Sequence, residues 1–249
     1  MTLSLTIHSS KGGSGKTSIA INLAAAYASE GKNVCLIDSD IRGPSLYTYF
    51  ETKTSRWIND FISKKYGIMD VVEDISNKFQ TSGKFYVAHA NPDIDEIRDF
   101  ACKDRNWQSN ALKTLISGKK ELFKNGIDVI IFDTSPGVEY ESINAVAASD
   151  VVLIVHNSTN VSLNAMEQLV DGVYRPLNKN TVIVNNMCHD SIMNGPIENE
   201  KFGVPILENI PCMCDIATRS NSEVLVITDP EHTFSRSIMN IKNKLERFQ

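Results

Sequence analysis

No stretch of the 249-residue chain approaches the roughly 18 uninterrupted apolar residues of a membrane-spanning helix, which excludes a span read from hydropathy. Cysteine is scarce and odd in number. Five residues scattered among apolar segments fit a reducing, cytoplasmic setting better than a disulfide framework. A basic excess is also missing: 25 Lys and Arg stand against 30 Asp and Glu. The resulting net charge of −5 does not favour DNA or an anionic membrane as partner, although DNA stays possible. There is no internal repeat, no low-complexity run and no long Pro/Ser linker, and strand-like residues begin at Leu3, so no secretory leader is expected. With 42% hydrophobic residues the chain can bury a sizeable core, and a single domain over residues 1–249 is expected.

What the chain does have is concentrated in Ser9-Ser10-Lys11-Gly12-Gly13-Ser14-Gly15-Lys16-Thr17-Ser18. The alternating segment Leu3–His8 ahead of it predicts a strand, and Ile19–Ala28 behind it predicts a helix. Strand, glycine loop and helix in that order make a phosphate cradle. Glycines let consecutive N–H groups turn inward without a Cβ clash, and the helix N-terminus adds partial positive charge. Residues Gly12, Gly13, Ser14, Gly15, Lys16, Thr17 and Ser18 are therefore candidate nucleotide ligands. Lys16 is expected to reach the β- and γ-phosphates and the Thr17 hydroxyl to bind magnesium.

Two further strands end in acids. Lys32–Ile37 runs into Asp38-Ser39-Asp40, and Ile127–Phe132 runs into Asp133, followed by Thr134-Ser135-Pro136-Gly137. In an open parallel sheet ligands sit at the carboxyl ends of the strands, so these carboxylates belong near the phosphates. One of a pair spaced by two can hold the hydration shell of magnesium while the other orients an attacking water. A strand hydrophobic on both faces, such as that before Asp133, fixes its terminal carboxylate rigidly.

Strands are also expected at Phe85–Ala88, Val151–Val155, Thr181–Val184 and Val204–Pro211, with helices at Trp107–Phe123 and Leu163–Val173. The alternation predicts an α/β fold, a doubly wound, mostly parallel sheet with helices on both faces. Residues 46–125 are the least regular part. Short helices are expected at Tyr47–Phe50, Trp57–Phe61 and Ile68–Val72, in an insert packed by its aromatics, with the acidic run Asp93–Asp99 as a solvated helix face.

The motif K-G-G-x-G-K-[ST] at Lys11–Thr17 lacks the first glycine of the common P-loop pattern and adds Lys11. It resembles the deviant Walker A motif of the MinD/ParA/Mrp family of P-loop ATPases. The segment Asp38–Ser45 is similar to that family's switch I, with a Gly-Pro-Ser closest to the Mrp branch, and Asp133–Gly137 to its D-x-P-P-G. The resemblance implies roles residue by residue. Lys11 would cross a dimer to the partner's nucleotide, Asp38 and Asp133 would lie on the magnesium side with Thr17, and Asp40 would position water. Gly137 would offer its N–H to the γ-phosphate. Asn186, with Asn185 as the fallback, would read the adenine edge, and the Ile210-Pro211 turn would lie against the base. ATP and Mg²⁺ are the implied cofactors, and an ATP-bound homodimer awaiting an unidentified protein activator is the implied state.

Function is expected to be that of an ATP-hydrolysing switch in spatial organisation, of the cell-division or partitioning kind. An Mrp-like metallocluster carrier and a small-molecule kinase or ligase are the alternatives. Cys212-Met213-Cys214 and Cys188 match the Mrp C-x-x-C poorly, and two buried cysteines beside the nucleotide pocket are expected instead. The stripe Phe234, Ile238, Ile241, Leu245 and Phe248 is expected to pack on the core and not to form a stable membrane anchor, since a membrane helix in the family lies beyond this one.

Overall fold

A computed structural model describes residues 2–157, 160–193, 195, 198–219 and 223–248. Nine strands form one sheet: β1 (Leu3–His8), β2 (Val34–Ser39), β3 (Val72–Asp74), β4 (Phe85–Ala88), β5 (Val129–Thr134), β6 (Val151–Asn157), β7 (Asn180–Cys188), β8 (Glu200–Lys201) and β9 (Val204–Pro211). Their order across the sheet is β3-β4-β2-β5-β1-β6-β7-β9-β8. All neighbouring pairs are parallel except the two edge pairs, β3 with β4 and β8 with β9. The expected doubly wound, mostly parallel sheet is the fold observed.

Alternation along each strand decides which helix layer it meets. Leu5, Leu36 and Ile131 face a core shared with helix α1 (Lys16–Ser29) and the helix Thr233–Leu245. Cys35, Ile37, Ile130 and Phe132 point the other way, toward Leu115, Leu122, Ala145 and Ala148 on the helices Arg105–Lys124 and Tyr140–Ala148. A strand covered on both faces must be apolar on both, which is why β5 reads as an unbroken apolar run. The polar residues of β1 are buried too. Ser4 bonds the Asp150 carboxylate at 2.6 Å, Thr6 donates to the Ala145 carbonyl at 3.0 Å, and His8 Nδ1 meets the Tyr174 hydroxyl at 2.6 Å.

The stripe on Thr233–Leu245 packs inward: Phe234, Ile238, Ile241 and Leu245 are all buried beside α1. Buried Lys242, on the same helix, pairs with Glu30 and Glu246. No helix among the described residues is long and apolar enough to cross a membrane.

Residues 46–125 depart from the expected irregular insert. They supply β3 and β4 to the same sheet, with Val34 opposite Phe85 and Ile37 opposite Ala88. β3 and the short helix Ser76–Phe79 were not expected, because three- and four-residue elements carry too little periodicity to stand out. The aromatics split by place: Phe50 and Phe61 are buried, and Phe50 meets Phe79 and Phe85 edge-on, whereas Tyr66 is exposed under Arg56. Asp93 caps the helix Ile94–Ala101 by accepting from Asp95 and Glu96 N–H groups, so part of the acidic run serves the helix start.

Three histidines are sealed into this frame. Burial drops His8, His89 and His156 each to about 4. A folded-state value below the unfolded one, about 6.5, means the stability each neutral ring contributes is full above that pH. It is lost as the pH falls from about 6.5 through about 4. At pH 5 each has lost about 2 kcal/mol, from roughly 1.4 kcal/mol per pH unit. The check is a proton NMR titration: these three rings are expected to stay neutral down to about pH 5 and to protonate near 4. Midpoints near 6.5 would contradict their burial.

Candidate active site

The candidate residues lie at the carboxyl ends of β1, β2, β5 and β7, around the loop that joins β1 to α1, with Pro211 at the end of β9. The sheet arrangement makes this so: the crossover from β1 runs one way to β2 while that from β6 runs the other way to β7, and the loop sits where they part.

The loop is held open from three sides. Gly137 N–H donates to the Ser9 carbonyl at 2.9 Å, Asn157 Nδ2 donates to Gly13 O at 3.4 Å, and Asn186 Nδ2 to Ser14 O at 2.8 Å. Gly15 stands at the start of α1 with φ 89° and no side-chain cap, so the helix presents its first N–H groups to whatever the loop encloses. Glycine is required here twice over: the φ lies in the left-handed region, and a Cβ would come 2.3 Å from Asn186 Nδ2. The Ser14 hydroxyl is buried without a partner, an orphan donor inside the cradle. Lys16, 7% exposed, has its ammonium pulled below the ordinary lysine range by burial, against the attraction of Asp133 and Asp40.

Asp38 and Asp133 are in direct register on the adjacent parallel strands β2 and β5, and both are fully buried. Burial and the facing carboxylate of Asp133 hold Asp38 well above the usual range, although Asp40 and Leu46 N–H groups donate to it at 3.1 and 3.3 Å. Burial likewise pushes Asp133 up to about 7, against the Thr17 hydroxyl and Lys16. Its Oδ1 is buried with no hydrogen-bond partner. Two desolvated carboxylates side by side, one with an orphan oxygen and a hydroxyl at hand, fit a hard divalent cation. Asp40 is half-buried at the mouth and accepts from Gly43 N–H at 3.0 Å; its carboxyl is raised by burial, and Lys16 and Arg42 work against that rise.

An open cleft of about 230 Å³ adjoins the loop, walled by Gly15, Ser18, Asn186 and Met187 and by Pro211, Cys212, Met213 and Cys214. β7 runs on to Cys188, so both asparagines lie inside the strand and not after it. Asn186 lines the cleft, while Asn185 turns to Asn209 at 2.7 Å. Cys188 is buried, but Cys212 and Cys214 are exposed, which corrects the expectation of two buried cysteines. They follow the last ladder contact of β9, Cys212 N–H to Cys188 O, and border an open cleft. Among the described residues no disulfide forms, and no cluster of three or more His, Cys, Asp or Glu is placed to hold a metal.

Lys11 stands apart from the other loop residues. It is exposed, and its ammonium has no ion pair or hydrogen bond among the described residues, whereas Lys16 occupies the floor. The Gly137 N–H is engaged by the Ser9 carbonyl in this structure. Sequence reasoning missed Asn157, whose amide reaches the loop from the end of β6, and Arg42, which bonds Glu139 at 2.7 Å. Asn157 lies in no motif, and Arg42 lies within Asp38–Ser45 without a role assigned to it. The one signal for Asn157 was its position at the carboxyl end of a strand beside β1.

A glycine cradle at the start of a helix, a buried lysine and two acids in register at the sheet's carboxyl edge define the class: a P-loop ATPase fold. The AAA_31 family, described as an AAA domain, matches residues 3–186, and the chain belongs to it, within the MinD/ParA type of P-loop ATPases. The septum site-determining protein MinD of Thermotoga maritima is 25% identical over 97% of this chain and 87% of its own. An iron-sulfur cluster carrier protein of Aquifex aeolicus is 24% identical over 98% of this chain and 67% of its own. Among solved structures, MinD of Pyrococcus horikoshii complexed with Mg-ADP superposes with a TM-score of 0.79 at 20% identity, covering 99% of this chain and 97% of the other.

Proposed function

We propose that this protein is a magnesium-dependent ATP-binding and hydrolysing switch that dimerises around ATP and acts in spatial organisation, of the cell-division or partitioning kind. One observation carries the reading: Lys11, exposed and unpaired at the mouth of a cradle whose floor Lys16 already fills. A second copy meeting this face would bring its own Lys11 to the bound phosphates.

In the proposed reaction the loop N–H groups and Lys16 grip the β- and γ-phosphates, and Asp40 orients the attacking water. Thr17, Asp38 and Asp133 would hold Mg²⁺, which supplies charge neutralisation on the phosphate oxygens when bound. Gly137 exchanges Ser9 for the γ-phosphate, and Lys11 of the second copy adds positive charge as an arginine finger does elsewhere. Asn186 and the Pro211 turn receive the adenine. Exposed thiols at Cys102, Cys212 and Cys214 suit a reducing, cytoplasmic setting. Turnover is slow until a partner protein completes the site.

The test is calorimetric titration with ATP and GTP in magnesium, followed by phosphate release. ATP is expected to bind more tightly than GTP and to be hydrolysed slowly. GTP binding as tight as ATP would overturn the assignment of the base cleft.

The exposure of Cys212 and Cys214 favours a second reading, a metallocluster carrier. One C-x-C offers two thiolates, so a four-sulfur site needs a two-fold axis through it. Metal analysis of anaerobically purified protein separates the two readings: the switch predicts no stoichiometric iron or zinc, whereas about one or two irons per chain, from a two- or four-iron cluster shared by two chains, would support the carrier.

A further inference from the structure

We propose that Arg42 is a positioning residue of the hydrolytic site: through Glu139 it ties the Asp40 turn to the loop that carries Gly137, so that both loops present their groups together. This rests on the ATPase reading above. Arg42 stands two residues after Asp40, in a turn closed by Gly43 N–H donating to both the Asp40 carbonyl at 3.2 Å and its Oδ1 at 3.0 Å. Glu139 stands two residues after Gly137, immediately ahead of the helix Tyr140–Ala148. The guanidinium Nη2 reaches Glu139 at 2.7 Å, while Nε lies 3.7 Å from Glu141.

The two carboxylates have different surroundings. Glu139 is 43% exposed, and an ion pair so wet adds little stability. Glu141 is only 6% exposed, and neither of its oxygens has a hydrogen-bond partner. A desolvated carboxylate holds a cation in place, so Glu141 anchors the guanidinium and leaves its outer edge aimed at Glu139. Among the described residues the pair is the bond that joins the two loops, each followed by its own helix or turn. Its importance lies in that location, since a small misplacement of either loop moves Asp40 relative to the phosphate that Gly137 would meet.

Glu139→Gln cuts the tie and leaves Arg42 on Glu141; Glu139→Asp keeps the charge. Steady-state hydrolysis, ADP titration, thermal melting and amide hydrogen exchange are read on each, with Arg42→Gln as the stronger lesion. Glu139→Gln is expected to lower kcat about tenfold, a fraction of what a misplaced catalytic group costs, with KM and ADP affinity nearly unchanged. Exchange should rise in both segments 40–44 and 136–140, and Glu139→Asp should restore most of the rate. Should Arg42→Gln fail to fold because Glu141 has lost its cation, Glu139→Gln still decides. A folded Glu139→Gln with unchanged kcat, or with exchange raised in one loop alone, overturns the tie. If the unmodified protein hydrolyses no ATP, the ATPase reading fails by itself, and the exchange of the two segments still tests the tie.

Discussion

Asp40→Ala is expected to leave nucleotide binding nearly intact and to reduce phosphate release at least about 100-fold, the range a positioned base or water-orienting group contributes. In the proposed site the groups that would grip phosphate come from Gly12 to Ser18 and not from Asp40, whose carboxylate sits half-buried at the mouth. Burial raises that carboxyl and so makes it the better acceptor for a water proton, while the Gly43 N–H, Lys16 and Arg42 work against the rise. The variant also loses the acceptor for Gly43 N–H, so Asp40→Asn belongs beside it as the control that retains the bond. Both should bind ATP and neither should turn it over at speed. Single-turnover phosphate release decides the point, and a normal rate in Asp40→Ala would show that another group handles the water.

Lys11→Ala is expected to keep the monomer's affinity for ADP and to abolish association in ATP. The side chain has no partner among the described residues and the Lys16 ammonium lies buried on the floor, so nothing in the monomer's own grip on nucleotide is lost. A desolvated charge-assisted bond is worth roughly 1.5–3 kcal/mol, and two-fold symmetry supplies it twice. The sum, about 3–6 kcal/mol, corresponds to a dimer weaker by roughly 100- to 20,000-fold. Lys16→Ala should behave oppositely, losing nucleotide binding itself. Sedimentation of Lys11→Ala across a concentration series in ATP measures the difference, and a dimer of unchanged strength would remove Lys11 from the interface.

Much of this site was legible because its physics is local. A glycine run between a strand and a helix has few other uses, and an apolar strand ending in Asp133 or Asp38 leaves the acid at the sheet's edge, where the register of β2 and β5 sets them opposite one another. The legible helix stripe from Phe234 to Leu245 follows from periodicity alone. What was not legible depends on partners far apart in sequence. Asn157 reaches Gly13 across 144 residues, and His8 finds Tyr174 across 166. The strand Phe85–Ala88 was legible, but its edge neighbour β3 was hidden because it is only three residues long. The cysteines misled for a related reason. An apolar flank suggested burial, but β9 ends at Pro211 and the chain beyond it borders an open cleft.

The most direct measurement is the mass of the unmodified protein in solution, by light scattering, with magnesium and either ADP or a non-hydrolysable ATP analogue. The account predicts one chain with ADP and two with the analogue, with the doubling lost in Lys11→Ala. A single chain with both nucleotides, at concentrations where the analogue is shown to be bound, would contradict it.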